Sequence, residues 1–483
     1  MLDFRPVLYI IGILLCVLAC FMLLPLTVDM VAGHTNWHSF AIAASITFFF
    51  GVTLASTYYM DDFSLSVREG FLLTTSMWLT ASLFGALPFL LVAESLSLTD
   101  ALFESVSGVT TTGSTVVSEL AERSKGFLLW RALLQWLGGI GFVVMAVAIL
   151  PVLRIGGMQL FQLDSSTASQ KAFPRVGQVA MAIGAIYFAL TFLCALCLYG
   201  FGMTGFEAVA HSMTTVATGG FSTSDDSIGG FATPAIDVTI TFFMVLGSLP
   251  FVLYLRVHHM RAGSLWLDSQ VRAFLATLVS CIAVLVLWRL SYDDGTDLVT
   301  LVREVAFNTV SLMTGTGFVT SDATLWGSFA VTLLFFLMLA GGCAGSTTCG
   351  IKIFRFQIAY AVAACHIKRI AHPRGVFVPY YHGTAVPQDI AESVMGFIFL
   401  FAFTFLVLAL SLTWVGLDFQ TSMSAAATAI ANVGPALGGD LGPTDSFAYL
   451  PDHAKWLLSG GMLIGRLEIY TALITLLPRF WRW

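Results

Sequence analysis

Charge is scarce in this sequence: Asp, Glu, Lys and Arg make up 10% of 483 residues, against about 25% in an ordinary soluble domain. So few charges cannot furnish the polar shell that a water-facing globule of this size needs. A soluble enzyme, a nucleic-acid binder and a disordered chain are all excluded. Recognisable catalytic and nucleotide motifs are missing too. There is no P-loop, no GxGxxG fingerprint, no HExxH pair among the nine histidines and no catalytic triad. The single CxxC, Cys194–Cys197, lies inside an apolar run without a second ligand pair, so it does not read as a zinc site. The eight cysteines, nearly all within apolar runs, read as buried thiols.

What is abundant is apolar surface. Hydrophobic residues reach 57% and Phe alone counts 41. Runs of the roughly 20 residues needed to cross a bilayer occur at 7–26, 38–58, 70–93, 127–152, 177–201, 231–255, 273–291, 325–365, 391–416 and 454–477. The first reads as a retained span rather than a removed signal, because Phe21-Met22-Leu23-Leu24 continues the apolar run past Cys20. Ten crossings put both termini on one side. With the N-terminus in the cytoplasm, 15 of the 22 Lys and Arg fall inside, as the positive-inside rule requires, and 19 of the 28 acids fall outside. An acidic outer face also concentrates cations.

Four short polar segments between spans share a pattern. They are Thr110-Thr111-Thr112-Gly113, Ala217-Thr218-Gly219-Gly220, Thr314-Gly315-Thr316-Gly317 and Ala431-Asn432-Val433-Gly434. Their final glycines are spaced by 107, 97 and 117 residues. Six residues before each glycine stands a hydroxyl (Ser107, Thr214, Ser311, Thr428), and thirteen before stands Asp100, Glu207, Glu304 or Thr421, suited to a helix N-terminus. Such a period is an internal fourfold duplication. Each unit reads as span, pore half-helix, glycine turn, extended return, span. Irregular backbone at membrane depth is tolerated where it lines a water-filled cavity, and glycine permits the closely wound strand that turns carbonyls inward. Four such turns about one axis are expected to form a cation selectivity filter, with K⁺ the leading ion.

The chain resembles the potassium-translocating subunit of the bacterial Trk type, within the Trk/Ktr/HKT superfamily. The resemblance covers essentially the whole sequence. It rests on Phe103-Glu104-Ser105, the TTTG run, Gly219-Gly220-Phe221-Ser222, Gly341-Gly342-Cys343-Ala344-Gly345-Ser346-Thr347 and Gly465-Arg466-Leu467-Glu468. The expected fold is an all-α polytopic membrane protein. It has two extra N-terminal helices (1–69) and four pore repeats at 70–176, 177–272, 273–390 and 391–483. The resemblance implies a bacterial inner-membrane location, one ion path per subunit, a homodimer, and a cytosolic regulatory ring that binds NAD, ATP or ADP. It implies no catalytic residue, and K⁺ as the transported ion with no organic cofactor. Gly113, rather than serine, favours K⁺. The single glycine of the fourth turn, followed by Pro435, predicts looser selection that admits Rb⁺ and Na⁺.

The eighth apolar run is interrupted at 341–350. A kink there is one reading; an intramembrane gate built on Gly341, Gly342, Gly345, Ser346, Thr347 and Gly350 is the one the resemblance favours. Thr348 and Cys349 depart from the family's glycine run. Arg466 and Glu468 stand in an otherwise apolar span, where charge defaults to a functional role. On a continuous helix they face different directions. The resemblance places Arg466 in the pore; because the 341–350 break falls at similar depth, loop carbonyls or Ser346 are expected to bind its guanidinium. Lys352 and Arg355 read first as interfacial anchors and second as contacts to the gate. The basic stretch at 368–374 and the loop 153–176 are too short to form domains. A coupled H⁺ or Na⁺ symporter using the same path is the alternative; a membrane-embedded enzyme would need a His/Asp/Glu cluster that the sequence lacks.

Overall fold

The computed structural model describes residues 3–60, 66–92, 96–148, 157, 176–259, 267–291, 295–439 and 441–481. Apart from Gly157, the 153–175 part of the first long loop lies outside them. Among the described residues seven helices are long and apolar enough to cross a membrane. The last pair, Asp452–Arg466 and Tyr470–Leu476, is bent by 112° at its break and passes the same test when taken together, and Pro234–Gly247 and Ser328–Leu339 are shorter apolar helices. These ten fall on the ten apolar runs of the sequence.

The first two spans, α1 (Arg5–Ala32) and α2 (Trp37–Thr57), pack as a pair. Gly12 and Gly51 lie in the contact, where an added Cβ would touch the backbone of Ala55 or Cys16. Small residues that admit close backbone approach are the usual currency of helix pairing in lipid. The pair is tied to the rest through buried Asp29. Its Oδ1 accepts the Gly126 N–H at 2.6 Å and its Oδ2 accepts the Ser124 hydroxyl at 2.9 Å. The carboxylate thereby satisfies one free N–H at the start of α6 (Lys125–Ala148) directly, and it orients the Ser124 hydroxyl that accepts a second, from Phe127.

The third span, α3 (Val67–Gly85), is followed by a short turn of helix, α4 (Leu87–Leu91). Next comes the first pore helix, α5 (Leu98–Val109). The later elements are α7 (Val176–Gly200), pore helix α8 (Gly205–Val216), α9 (Pro234–Gly247), α10 (Phe251–His259), α11 (Ser269–Leu290) and pore helix α12 (Leu298–Met313). They continue with α13 (Ser328–Leu339), α14 (Ile353–Ala371), α15 (Gln388–Trp414), pore helix α16 (Phe419–Ala431), α17 (Asp452–Arg466) and α18 (Tyr470–Leu476). The one strand pair among the described residues, Tyr380–Tyr381 with Thr384–Ala385, is an antiparallel hairpin after α14.

Each pore helix begins at a polar cap. Ser97, Thr204, Asp297 and Asp418 accept the N–H of Asp100, Glu207, Val299 and both Gln420 and Thr421 respectively. Asp100, Glu207 and Thr421 fall in the first turn, as their spacing predicts. Glu304 does not. The third pore helix starts further upstream, so Glu304 is mid-helix and pairs with Arg289 of α11 at 2.8 Å. The expectation for the cysteines also needs correction. All eight are free, but only Cys194, Cys343 and Cys349 are buried, while Cys20 is exposed and the others are half-buried.

Candidate ion pathway

The four turns repeat one backbone conformation. Two residues before each final glycine the chain enters the left-handed region, with φ of 55° at Thr111, 50° at Thr218, 68° at Gly315 and 52° at Asn432. The final glycines do so again, at 88° (Gly113), 80° (Gly220), 81° (Gly317) and 111° (Gly434). The carbonyl at each hydroxyl position accepts the N–H just ahead of the glycine. These bonds are Thr112 to Ser107 (2.9 Å), Gly219 to Thr214 (2.8 Å), Thr316 to Ser311 (2.9 Å) and Val433 to Thr428 (3.0 Å). The hydroxyls of Ser107, Ser311 and Thr428 brace the return strand through Ser114 O, Phe318 O and the Gly434 N–H. Thr214 instead bonds back into its own helix.

The turns meet in a closed ring. A Cβ on Gly113 would collide with Gly219 O, one on Gly220 with Thr316 O, and one on Gly317 with Val433 O. A Cβ on Gly434 would lie 2.7 Å from Thr112 O, which returns to the first turn. Each glycine thus packs on the carbonyl that precedes the next glycine, in the order 1, 2, 3, 4, 1. A positive φ and this close approach both require glycine here. The second spans use glycine similarly. Gly138, Gly247 and Gly465 abut the carbonyls of Val109, Val216 and Ile430 at the ends of three pore helices.

Above the ring lies a cavity of about 340 Å³ whose lining includes Gly113, Gly220, Gly317 and Gly434. Glu119, Asp225 and Asp445 also line it. Its one basic residue among those described, Arg131, is neutralised by Glu104 at 2.7 Å. The mouth is therefore acidic and reaches all four turns.

Beneath the ring sits the break in the eighth span. It is an ordered, buried loop, closed by Gly341 N to Ile351 O (2.9 Å), Ile351 N to Leu339 O (3.0 Å) and Ile353 N to Gly342 O (3.1 Å). It docks on a second break, between α9 and α10. Cys343 N donates to Ser248 O at 3.2 Å, Thr347 N to Gly247 O at 3.3 Å, and Phe251 N to Gly345 O at 2.9 Å. Two interrupted helices thus satisfy each other's orphan backbone groups, as buried irregular backbone must. Gly345 and Gly350 supply the left-handed turns, at φ of 73° and 72°. The loop touches the second turn directly: the Thr218 and Thr347 hydroxyls are 3.1 Å apart.

Arg466, fully buried, reaches this loop from the end of α17. Its Nη1 donates to Thr347 O at 3.3 Å and to Cys349 Sγ, and its Nη2 to Gly138 O at 3.2 Å. A loop carbonyl and a thiol therefore hold the guanidinium, while the Ser346 hydroxyl is turned to Cys343 O and Thr348. Lys352 and Arg355 are not interfacial anchors: both are buried. Lys352 donates to Thr348 O and, at 3.1 Å, to Thr348 Oγ1. It shares the Phe142 ring with Arg466, at 5.2 and 4.1 Å. Arg355 pairs with Glu468 at 2.6 Å and lies 3.5 Å from the Phe397 ring centre. Glu468 can meet it because the last span is not one helix. It breaks after Arg466, with positive φ at Glu468 and Ile469. Thr348 and Cys349, the departures from the expected glycine run, are among the loop's contacts to Lys352 and Arg466.

The sequence reading missed Gln135 and Arg131, which stand behind the turns, and gave Glu104 no partner. Polar Arg131 and Gln135 within the apolar span α6 were the signal that could have found them.

The sequence profile of the TrkH family, described as a cation transport protein, matches residues 38–482. The chain belongs to this family. It is 45% identical over 478 residues to the Trk system potassium uptake protein TrkI of Halomonas elongata, covering 99% of this chain and 97% of that one. It is 37% identical to TrkH of Vibrio parahaemolyticus and 34% identical to TrkH of Escherichia coli K12, each over the full length of both chains. The crystal structure of the potassium transporter TrkH from Vibrio parahaemolyticus superposes over the whole of both chains with a TM-score of 0.93 and 36% identity. TrkH-family membership makes this chain a multi-span cation transporter and not an enzyme.

Proposed function

We propose that this chain is the membrane subunit of a Trk-type K⁺ uptake system in the bacterial inner membrane, with both termini cytoplasmic. The observation that carries the reading is the closed ring of four glycine turns under one acidic cavity. K⁺ is held by main-chain carbonyls of 110–113, 217–220, 314–317 and 431–434, which replace its hydration shell. Rb⁺ passes by the same carbonyls, and Na⁺ less well. Loop 341–350 and Arg466 close the path beneath, setting a fixed positive charge where a leaving cation must go. Opening is controlled from the cytosol by a ring that binds NAD, ATP or ADP, acting on a homodimer. The pore repeats are 70–176, 177–272, 273–390 and 391–483, with 1–69 as an extension docked through Asp29.

The test is uptake of radiolabelled Rb⁺ into proteoliposomes at clamped pH, with and without Na⁺ and H⁺ gradients. Uptake driven by a K⁺ gradient alone supports a gated uniport. Strict dependence on a H⁺ or Na⁺ gradient would replace it with coupled symport.

A further inference from the structure

The four turns are not braced alike. In the first, the hydroxyls of Thr110 and Thr112 bond each other at 2.7 Å, and in the third Thr314 and Thr316 do so at 2.8 Å. In the fourth, Asn432 Nδ2 donates to Thr112 Oγ1 (2.8 Å) and to Met462 O (2.9 Å). The second turn has Ala217 and Gly219 at the paired positions and cannot brace itself this way. Its support comes from Gln135 of α6, a span of the first repeat. The buried Gln135 amide donates from Nε2 to Gly219 O, and its Oε1 accepts the Phe221 N–H at 3.0 Å. Gly219 has no room for a side chain because Gln135 fills that space. One helical turn away, Arg131 extends the contact, donating to Ser222 O at 3.0 Å and Thr115 Oγ1 at 2.9 Å.

This bracing singles out one carbonyl. Of the four that precede the ring glycines, Gly219 O accepts a hydrogen bond. Thr112 O, Thr316 O and Val433 O accept none among the described residues. Gln135 thus occupies a lone pair and fixes the direction of Gly219 O, which also abuts Gly113. Building on the filter reading above, we infer that Gln135 is a positioning residue that sets cation selectivity by restraining the Gly219 carbonyl. A restrained carbonyl cannot close inward onto a smaller ion; without the amide, it turns toward Na⁺.

The experiment compares the full chain with Gln135→Met and Gln135→Leu in proteoliposomes, after checking monodispersity and thermal unfolding. It reads the K⁺:Rb⁺:Na⁺ uptake ratios and the Rb⁺ half-saturation. Gly317→Ser, on a corner Gln135 does not touch, reports on the filter itself. The expected result is a fall of about fivefold in K⁺/Na⁺ preference and a raised half-saturation, the scale one buried hydrogen bond carries. Parental ratios in folded Gln135 variants, with a shift in Gly317→Ser, would overturn the inference and leave the filter standing. Parental ratios in all three would overturn both. Reduced maximal uptake at unchanged ratio and half-saturation would mean a structural brace only, and also overturns it. Met matches the length of Gln without its polar atoms, so it carries the test if the branched Leu does not fold.

Discussion

Replacing Gly113 with Ser tests the ring where its geometry is tightest. The backbone there has φ of 88°, which costs a residue bearing a Cβ about 1–2 kcal/mol. That Cβ would collide with Gly219 O, and relieving an overpacked contact typically costs a further 1–3 kcal/mol. The neighbour in the way is a carbonyl proposed to bind the ion, so part of this cost is relieved by moving it. If about 1.4 kcal/mol of the strain is expressed as a difference between K⁺ and Na⁺ at the site, their ratio changes about tenfold. The assay is paired uptake of radiolabelled Na⁺ and Rb⁺ by proteoliposomes, expected to show Na⁺ gaining on Rb⁺. Gly33→Ala supplies the control. Gly33 has φ of 73° with nothing within 4 Å, so it imposes strain without collision and should lower stability without changing the ratio. Gly434, whose Cβ would keep 2.7 Å from its carbonyl, should tolerate Ser better than Gly113 does. A folded Gly113→Ser protein with the parental ratio would refute the reasoning, as would an equal shift in Gly33→Ala.

Arg466→Ala should raise Rb⁺ uptake without the cytosolic partner, because it removes the guanidinium between Thr347 O and Gly138 O. Glu468 keeps Arg355 as its partner in that variant, and unchanged basal uptake would place the barrier elsewhere. Arg355→Ala should destabilise the solubilised protein by about 3–5 kcal/mol, since it strands a buried carboxylate. The double variant Arg355→Met with Glu468→Leu should lose less in thermal unfolding; an equal loss would mean that the pair's charge is not what matters.

The ring was legible in the sequence because it recurs. The glycines, the hydroxyls six residues earlier and three of the four helix caps all carry their meaning in local spacing. The broken eighth span was legible from its glycines. What stayed hidden depends on partners far along the chain. Arg355 and Glu468 are 113 residues apart, and Gln135 and Gly219 are 84 apart. No periodicity links either pair. The break after Arg466 was concealed for a different reason. Its left-handed residues are Glu468 and Ile469, neither of which announces a turn, so the two charges looked like residues of one continuous helix. Glu304 was misplaced because its helix is longer at the start than those of its three counterparts.

The ring also has a consequence for how such a pore can change. Its corners are encoded at four separate places in one gene, at Gly113, Gly220, Gly317 and Gly434. In an assembly of four identical chains, one codon change alters every corner at once. Here it alters a single corner directly and reaches the next only through the carbonyl that corner packs on. Ion preference can therefore drift in small steps, and the unlike bracing by threonine pairs, Gln135 and Asn432 is the kind of variation such independence permits.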